Sequence, residues 1–207
     1  MYSFIEQSIR GGVTMISKRY AKANNPQCNE FDPMKPLSYL IYLDANNLYG
    51  WSMSQNLPTG GFKWLSDDEI VRDRDGILKL HDDASEGYIY EVDCIYPEEL
   101  HVTHSDYPLA PERLPIDETM LSPFQQQHFP STHKKPQVKL TPNLRNKSIY
   151  AVHYRNLKFY LEQGMIISKV RRVLAFTKSP WLKPYIDYNT KCRAQSKSTF
   201  EKGKRKI

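Results

Sequence analysis

The chain has 207 residues, of which 40% are hydrophobic and 12% aromatic, and its formal net charge is +6. This length suits one domain or part of a larger one. No apolar stretch approaches the ~20 residues of a membrane helix, and residues 1–10 lack the basic region and apolar core of a signal peptide. We therefore expect no membrane association and an intracellular reducing compartment, the nucleus or the cytoplasm.

Positive charge is concentrated in the last third of the chain. From Lys134 onward there are 19 Lys and Arg against 3 acids, whereas the remainder holds 10 basic and 20 acidic residues. A basic third with interleaved Tyr and Trp is typical of a surface that binds phosphates and stacks bases. A solvated basic helix face has the same composition, so the pattern alone leaves both interpretations open.

Cysteine and histidine spacing offers little chemistry. Cys28, Cys94 and Cys192 are odd in number and far apart, which fits neither a disulfide framework nor a zinc site. His101 and His104 have a spacing that could ligate a metal, but no further Cys or His accompanies them.

The N-terminal segment begins with a short helical pattern that includes Phe4 and Ile5 and is broken at Gly11 and Gly12. Paired glycines allow positive φ angles and the close approach of another backbone. A plain turn and a binding loop are equally compatible with these residues. The segment 24–36 is rich in Asn and Pro and predicts a loop.

The apolar run 39–43 predicts a strand buried on both faces, and it ends in Asp44. A polar turn should follow, and then a helix that starts near Leu48 and packs on the sheet. A carboxylate at a strand end needs donors or a cation, and a divalent metal that holds phosphates is one answer. Asp44 could instead cap the helix, and Tyr49 could be a core residue.

The next 60 residues predict an edge segment at 57–64, a short helix from Ser66 to Val71, and a strand at 87–96. The strand alternates, so its Tyr and Val side chains should face the core, with Asp93 towards solvent. We expect it to pair antiparallel with the 39–43 strand. The acid pairs 67–68 and 82–83 lie in polar runs where they would be solvated.

The last 100 residues begin with a Pro-rich stretch, 108–142, which predicts a long irregular loop. An amphipathic helix should follow from Ser148 to Gly164, then a strand at 166–176 and a helix from Pro184 to about Lys202. Four basic residues of this last helix should face outward: Lys183, Lys191, Arg193 and Lys197.

Four parts of the chain resemble family B DNA polymerases of the protein-primed branch. Asp44-Ala-Asn-Asn47-Leu48-Tyr49-Gly50 resembles their motif A, with Gly50 in place of the usual Pro. Ile9-Arg10-Gly11-Gly12 resembles the preceding Tyr-x-Gly-Gly element, with Ile9 in place of Tyr. Segments 87–113 and 153–197 are similar to the stretch between motifs A and B in polymerase-like proteins of viruses and self-synthesising transposons.

The resemblance implies a partial polymerase palm of α/β (α+β) class with a long Pro-rich insertion. Asp44 would be the catalytic carboxylate that holds Mg²⁺ or Mn²⁺. The implied nucleotide-binding residues are Asn47, Leu48 and Tyr49, and the ring of Tyr49 would exclude a 2′-hydroxyl. The implied DNA-binding residues are Arg10, Gly11, Gly12, Lys183, Lys191, Arg193 and Lys197. Expected partners are a DNA template-primer, a deoxynucleoside triphosphate and a terminal priming protein.

Motifs B and C of the family, Lys-x-x-x-Asn-Ser-x-Tyr-Gly and Asp-Thr-Asp, do not occur in the 207 residues. Two-metal phosphoryl transfer needs at least two carboxylates and a cation for the triphosphate. We therefore expect a truncated gene product or partial gene model, inactive as a polymerase alone. The alternatives are a polymerase remnant that only binds nucleic acid and an unrelated metal-dependent nuclease centred on Asp44.

Along the chain we predict four segments. Residues 1–36 form a pre-palm segment with the Gly-Gly element, and 37–107 form the motif A strand and helix with a second strand. Residues 108–147 form the Pro-rich insertion, and 148–207 form a basic helix-strand-helix segment.

Overall fold

The computed structural model describes residues 1–116, 118–128, 137–196 and 198. It combines helices with an antiparallel sheet, which confirms the predicted α/β class in its α+β form. Lys197 and the basic tail 202–207, both singled out in the sequence, lie outside the described residues. None of the helices in the described ranges is long and apolar enough to cross a membrane.

The described helices are short, and seven of them are α-helical. They are α1 (Tyr2–Ser8), α2 (Leu48–Met53), α3 (Arg74–Leu78), α4 (His101–His104), α5 (Pro123–His128), α6 (Tyr154–Glu162) and α7 (Lys183–Gln195). Single 3₁₀ turns cover Glu98–Leu100 and Glu118–Met120. The described strands are β1 (Leu57–Trp64), β2 (Glu86–Ile95), β3 (Glu112–Ile116), β4 (Gln137–Thr141), β5 (Lys147–His153) and β6 (Ile166–Ser179).

β2 is an inner strand of a four-stranded sheet in the order β1-β6-β2-β5. The predicted strand at 87–96 is therefore confirmed, and so is the strand at 166–176, which extends to Ser179. The predicted partner was wrong, because β2 pairs antiparallel with β5 and β6 rather than with residues 39–43. β1 lies at the sheet edge, as its Pro and Gly content predicted.

Alternation along β2 explains the main core. Tyr90, Val92 and Cys94 are buried on one face, where they pack against Leu157 and Leu161 of α6. A smaller cluster on the other face joins Phe4 and Ile5 of α1 to Ile89, Ala151, Leu174 and Phe176. Arg172 stabilises this face of the sheet, because its guanidinium pairs with buried Glu91 at 2.9 Å and lies 4.7 Å from the Phe4 ring centroid.

The predicted helix from Ser148 to Gly164 was wrong in its first half. Residues 147–153 form β5, and only 154–162 are helical. The apolar residues satisfy both periods, but Ile149, Tyr150 and Val152 are β-prone, and β2 offers them backbone partners. The end at Gly164 is confirmed by its φ of 99°, which favours glycine.

The Pro-rich stretch 108–142 is more regular than predicted. β3 and β4 pair antiparallel as a ribbon, although Pro115 lies inside β3. Fully buried Lys147 fixes the base of the ribbon, because its Nζ donates to Glu112 Oε2 at 2.9 Å and to Asn143 Oδ1 at 2.6 Å. Burial lowers the pKa of Lys147, while the bond to Glu112 opposes that shift.

The short helix predicted from Ser66 was also wrong. Ser66 instead forms a turn in which its N–H donates to the Glu69 carboxylate at 2.9 Å. The helix lies later, in α3, where the Asp73 side chain accepts from Gly76 N and caps it. The polar run at Ser66 leads to Ile70 and Val71, which are only partly buried against the core, whereas the run at Asp73 leads to fully buried Ile77.

The chain divides into two compact units, each built from separate stretches. Unit 1 comprises residues 1–15 and 60–177, and unit 2 comprises 16–59 and 178–207. Unit 1 contains both apolar clusters described above. The four predicted segments run consecutively along the chain, whereas both units are discontinuous.

Residues 39–43 of unit 2 do not form the predicted buried strand. Their five side chains are 62–92% exposed, and the nearest bridge among the described residues joins Asn24 to Ser38. A strand needs a neighbour for its backbone hydrogen bonds, and no described residue provides one here. The predicted buried strand was therefore wrong, because burial and backbone pairing depend on a partner strand that an apolar pattern does not supply.

Candidate functional site

The turn after Asp44 is built by Asn47 and Gly50. Asn47 is the N-cap of α2 and has left-handed backbone angles (φ 53°, ψ 43°), which Asn tolerates better than most residues. Its carbonyl accepts from Trp51 N at 2.9 Å. Its side chain lies on Gly50, where an added Cβ would come within 2.7 Å of Asn47 Cγ. Glycine at position 50 therefore fits this turn without moving Asn47.

Asp44 and Tyr49 have neither of the structural roles considered for them. The N-cap of α2 is Asn47, not Asp44, and no side-chain cap bond is present. Tyr49 is 80% exposed, so it is not a core residue. Asp44 is exposed as well. The Asp44 carboxylate, the Tyr49 phenol and Leu48 are therefore all exposed on one short stretch of unit 2.

A complete two-ion site is not present in the described part of the chain. No group of three or more His, Cys, Asp or Glu is placed there to hold a metal. Asp44 offers oxygen ligands of the kind that Mg²⁺ prefers, but two-ion chemistry needs at least one further carboxylate. The residues described therefore fit one part of such a site and not the whole of it.

Asp93, which was predicted to face solvent, forms part of the fold of unit 1. Its carboxylate accepts from Arg171 at 2.7 and 2.9 Å and from Ile149 N at 2.8 Å. The hydrogen bond from Arg171 lowers the pKa of Asp93, against the effect of burial. The prediction that Asp93 faces solvent was wrong, since only 19% of its side chain is exposed.

The His101 and His104 pair is likewise used by the fold. The Tyr96 hydroxyl accepts from Leu109 N at 3.1 Å and lies 2.9 Å from His104 Nδ1. Both imidazole rings pack edge-on against Tyr96. The pair holds the turn after β2.

The Gly-Gly element opens into a cavity of about 330 Å³ in unit 1. A Cβ added at Gly11 or Gly12 would meet nothing within 4 Å, so both backbones face open space. The cavity has aromatic and polar walls formed by Tyr107, Asn156, Phe159 and Tyr160, which no sequence pattern brings together. Burial raises the pKa of Tyr160, which keeps its hydroxyl protonated and able to donate.

Arg10 has a structural role beside this cavity. Its guanidinium lies 3.8 Å from the Tyr150 ring centroid, and it donates to Ala151 O at 2.6 Å. These contacts fix the end of α1 against β5. Arg10 lines the cavity, but much of its hydrogen-bonding capacity serves the sheet.

Many basic residues of the last third are paired within unit 1. Arg171 pairs with Asp93, Arg172 with Glu91, Lys147 with Glu112, and both Arg155 and Lys158 with Asp82. Counting by unit changes the charge distribution: unit 1 has 16 basic and 18 acidic residues, net −2, and unit 2 has 13 and 5, net +8. The excess positive charge belongs to unit 2.

α7 carries the basic residues predicted to face outward. Lys183, Lys191 and Arg193 are all exposed, and Lys197 lies outside the described residues. Among these three, Lys183 pairs with Asp187 at 2.9 Å. The interleaved Tyr and Trp of this third were noted in the sequence only as a group; those beside the basic residues of α7 are Trp181, Tyr185 and Tyr188, and all three are exposed. Their spacing of three and four residues, interleaved with Lys, is the signal that could have identified them.

Comparisons of the chain with known protein families, characterised proteins and solved structures find no match. Function therefore has to be inferred from the residues and geometry of the chain itself.

Proposed function

We propose that this chain is part of a DNA-directed DNA polymerase of the protein-primed family B type, a nucleotidyltransferase of DNA replication. Asp44 is one of the carboxylates that hold Mg²⁺ or Mn²⁺. Tyr49 contacts the sugar of the incoming deoxynucleotide, next to Asn47 and Leu48. The partners are a DNA template-primer, a deoxynucleoside triphosphate and a terminal priming protein.

The observation that carries this proposal is the open turn from Asp44 to Tyr49. A carboxylate and a tyrosine kept for stability would be bonded or buried, and both are exposed. Their spacing is held by the left-handed Asn47 and by Gly50, which together set the start of α2. An exposed acid next to an exposed aromatic ring suits a charged, sugar-bearing ligand.

The Gly11-Gly12 cavity supports the same proposal from unit 1. Open glycine backbone and the flanking aromatic rings of Tyr107 and Phe159 can accommodate a nucleobase and its backbone. Arg10 adds positive charge at the rim. We therefore assign Arg10, Gly11 and Gly12 to contacts with single-stranded template.

Manganese-dependent line broadening tests the role of Asp44. In heteronuclear spectra of the full chain, Mn²⁺ should broaden the amide signals of residues 44–49 first. Asp44→Asn should remove this broadening, because the amide is a poor ligand for a hard cation. The matched control is Asp106→Asn, an exposed acid of unit 1. Broadening that persists in Asp44→Asn, or is no stronger at 44–49 than around Asp106, would contradict the assignment.

A catalytically inactive polymerase remnant that holds nucleic acid is the second candidate. It is favoured by the single carboxylate at the turn, because one acid cannot hold two ions. The reading frame downstream separates the two candidates. Continuation into motifs B and C supports the polymerase, and a genuine stop codon supports the remnant.

A further inference from the structure

The exposed side of α7 combines aromatic and basic side chains. Trp181, Tyr185 and Tyr188 are 57%, 60% and 68% exposed. Lys183, Lys191 and Arg193 are exposed on the same helix or at its start. We call these six residues the α7 surface.

Helical spacing places four of these residues side by side, whereas Trp181 precedes the helix and Arg193 lies two turns beyond Ile186. Residues three or four apart are neighbours on a helix, so Tyr185, Tyr188 and Lys191 form one diagonal row. Lys183, Asp187 and Lys191 form a second row, which meets the first at Lys191. Ile186 is buried and marks the side on which α7 packs within unit 2. The two rows therefore present rings next to ammonium groups.

The positive charge of this surface is available to a ligand. Lys183 is bonded to Asp187, but both side chains are more than half exposed, and such surface pairs contribute little. Unit 2 as a whole has a net charge of +8. A polyanion fits this face better than a second copy of the same chain, because a second copy would bring like charges together.

The aromatic residues indicate which class of polyanion fits this surface. Three large exposed rings close together are uncommon on a surface that serves only for solubility. α2 contacts α7 and exposes Tyr49 and Trp51, so the aromatic character continues onto the neighbouring helix. Bases of a single strand can stack on such rings, whereas a duplex keeps its bases inside its own stack.

We propose that the α7 surface binds single-stranded nucleic acid, with bases stacked on Tyr185 and Tyr188 and phosphates held by Lys183, Lys191 and Arg193. Trp181 extends the stacking row at the start of the helix. This proposal depends on the proposed function only in taking nucleic acid as the ligand. It requires neither Asp44 nor a divalent ion, so it can fail or succeed independently.

Fluorescence anisotropy on the full chain tests the proposal. The probe is a fluorescein-labelled 16-nucleotide oligo(dT), titrated in EDTA at several KCl concentrations. Three phosphate contacts contribute about −2 to the slope of log affinity against log salt on a single strand. The triple variant Lys183→Gln, Lys191→Gln, Arg193→Gln should therefore lose about 2 units of slope. Asp187→Asn should tighten binding, because it removes the negative charge between the two lysines.

The tyrosine variants separate stacking from charge. Tyr185→Ala and Tyr188→Ala should each weaken oligo(dT) binding about tenfold and leave the salt slope unchanged. The phenylalanine variants should restore the affinity, since the ring and not the hydroxyl stacks. A duplex of the same length should bind more weakly than the single strand, and the alanine variants should not affect its binding.

Matched variants of unit 1 provide the control. Lys139→Gln, Arg145→Gln and Lys169→Gln remove the same charge from exposed positions, and Tyr2→Ala removes an exposed ring. These variants should leave the slope and the affinity unchanged. Far-UV circular dichroism checks that each variant is folded. Equal losses in the unit 1 variants, or alanine variants that bind like the wild type, would overturn the proposal.

Discussion

Units 1 and 2 differ in how many of their apolar side chains are buried. Of the 21 buried hydrophobic residues found in the described part of the chain, Ile186 is in unit 2, and the other 20 are in unit 1. Half of the 30 exposed large hydrophobic residues nevertheless lie in unit 2, which is the smaller unit. Burial of apolar area is the main favourable term in folding. Unit 1 therefore supplies most of the stability, and unit 2 presents surface.

The charge difference follows the same division. Unit 1 pairs its arginines and lysines with acids across the sheet, and its net charge is close to zero. Unit 2 keeps a large positive excess and the exposed turn at Asp44. Paired charge stabilises a fold, whereas unpaired charge of one sign attracts a ligand of the other sign. The proposed nucleotide contacts at Asp44 and Tyr49 lie in the less packed unit, whereas the proposed template contacts at Gly11 and Gly12 lie in unit 1.

Truncation of a core leucine should give the largest effect. Leu157→Ala in unit 1 removes a fully buried side chain and should lower the free energy of unfolding by about 2–5 kcal/mol. Leu43→Ala in unit 2, where the side chain is 85% exposed, should change it by less than about 0.5 kcal/mol. Urea unfolding followed by circular dichroism measures both. Similar losses for the two variants would mean that unit 2 is packed as unit 1 is.

Replacement of Asp93 should have an intermediate effect that depends on pH. Asp93→Asn weakens the bonds from Arg171 and should cost about 1–3 kcal/mol at neutral pH. The pKa of Asp93 is lowered from 3.8 in the folded protein, so its contribution is present above about pH 4 and is lost as the pH falls through the folded pKa. The Asp93→Asn variant should therefore lose less stability than the wild type as the pH falls, because it has no Asp93 contribution to lose.

The matching acid of unit 2 serves as the control for this prediction. Asp44→Asn removes an exposed carboxylate that bonds to no described residue, so its effect on stability should be close to zero across the same pH range. Urea midpoints measured from pH 7 to pH 3 compare the two variants. A larger loss in Asp44→Asn than in Asp93→Asn would contradict the assignment of structural acids to unit 1.

Thiol reactivity should distinguish the units without any substitution. Cys28 and Cys192 of unit 2 are half-buried, whereas Cys94 of unit 1 is buried and its pKa is raised to about 12 by burial. A disulfide reagent at pH 8 should label the two unit 2 thiols rapidly and Cys94 only on unfolding, because the thiolate is the nucleophile. Peptide mass spectrometry identifies the labelled positions. Early labelling of Cys94 would indicate that the core of unit 1 opens locally.

Elements with a self-sufficient local pattern were predictable from the sequence. β2 has Tyr, Val and Cys at alternate positions, β6 is rich in β-prone residues, and α7 has Pro184 in its first turn. The apolar residues of segment 147–153 fit both the helical and the strand period, and the predicted helix was wrong. The segment forms a strand because β2 provides its backbone hydrogen-bond partners. Residues 39–43 show the opposite case, since the pattern of a buried strand is present and the neighbour is not.

The sequence predicts the parts of the candidate site whose residues are neighbours in the chain. It does not predict the parts whose residues come from distant positions. Asp44 and Tyr49 are five residues apart on one turn, so their relation follows from sequence. The cavity at Gly11 and Gly12 needs Tyr107 and Asn156, which come from distant positions, and no pattern connects them. Likewise, residue counting could not show that Arg171 and Arg172 are neutralised by acids on β2.

The interleaving of the two units has a consequence for synthesis on the ribosome. Phe4 packs against Leu174 and Phe176, which are translated about 170 residues after it. The first part of unit 2, residues 16–59, must likewise wait for α7. Contacts so distant in sequence form slowly, and they expose apolar segments in the interval. Phe4 and Ile5 of α1 therefore lack part of their apolar partners until β6 has been translated, and a chaperone would protect this helix in the interval.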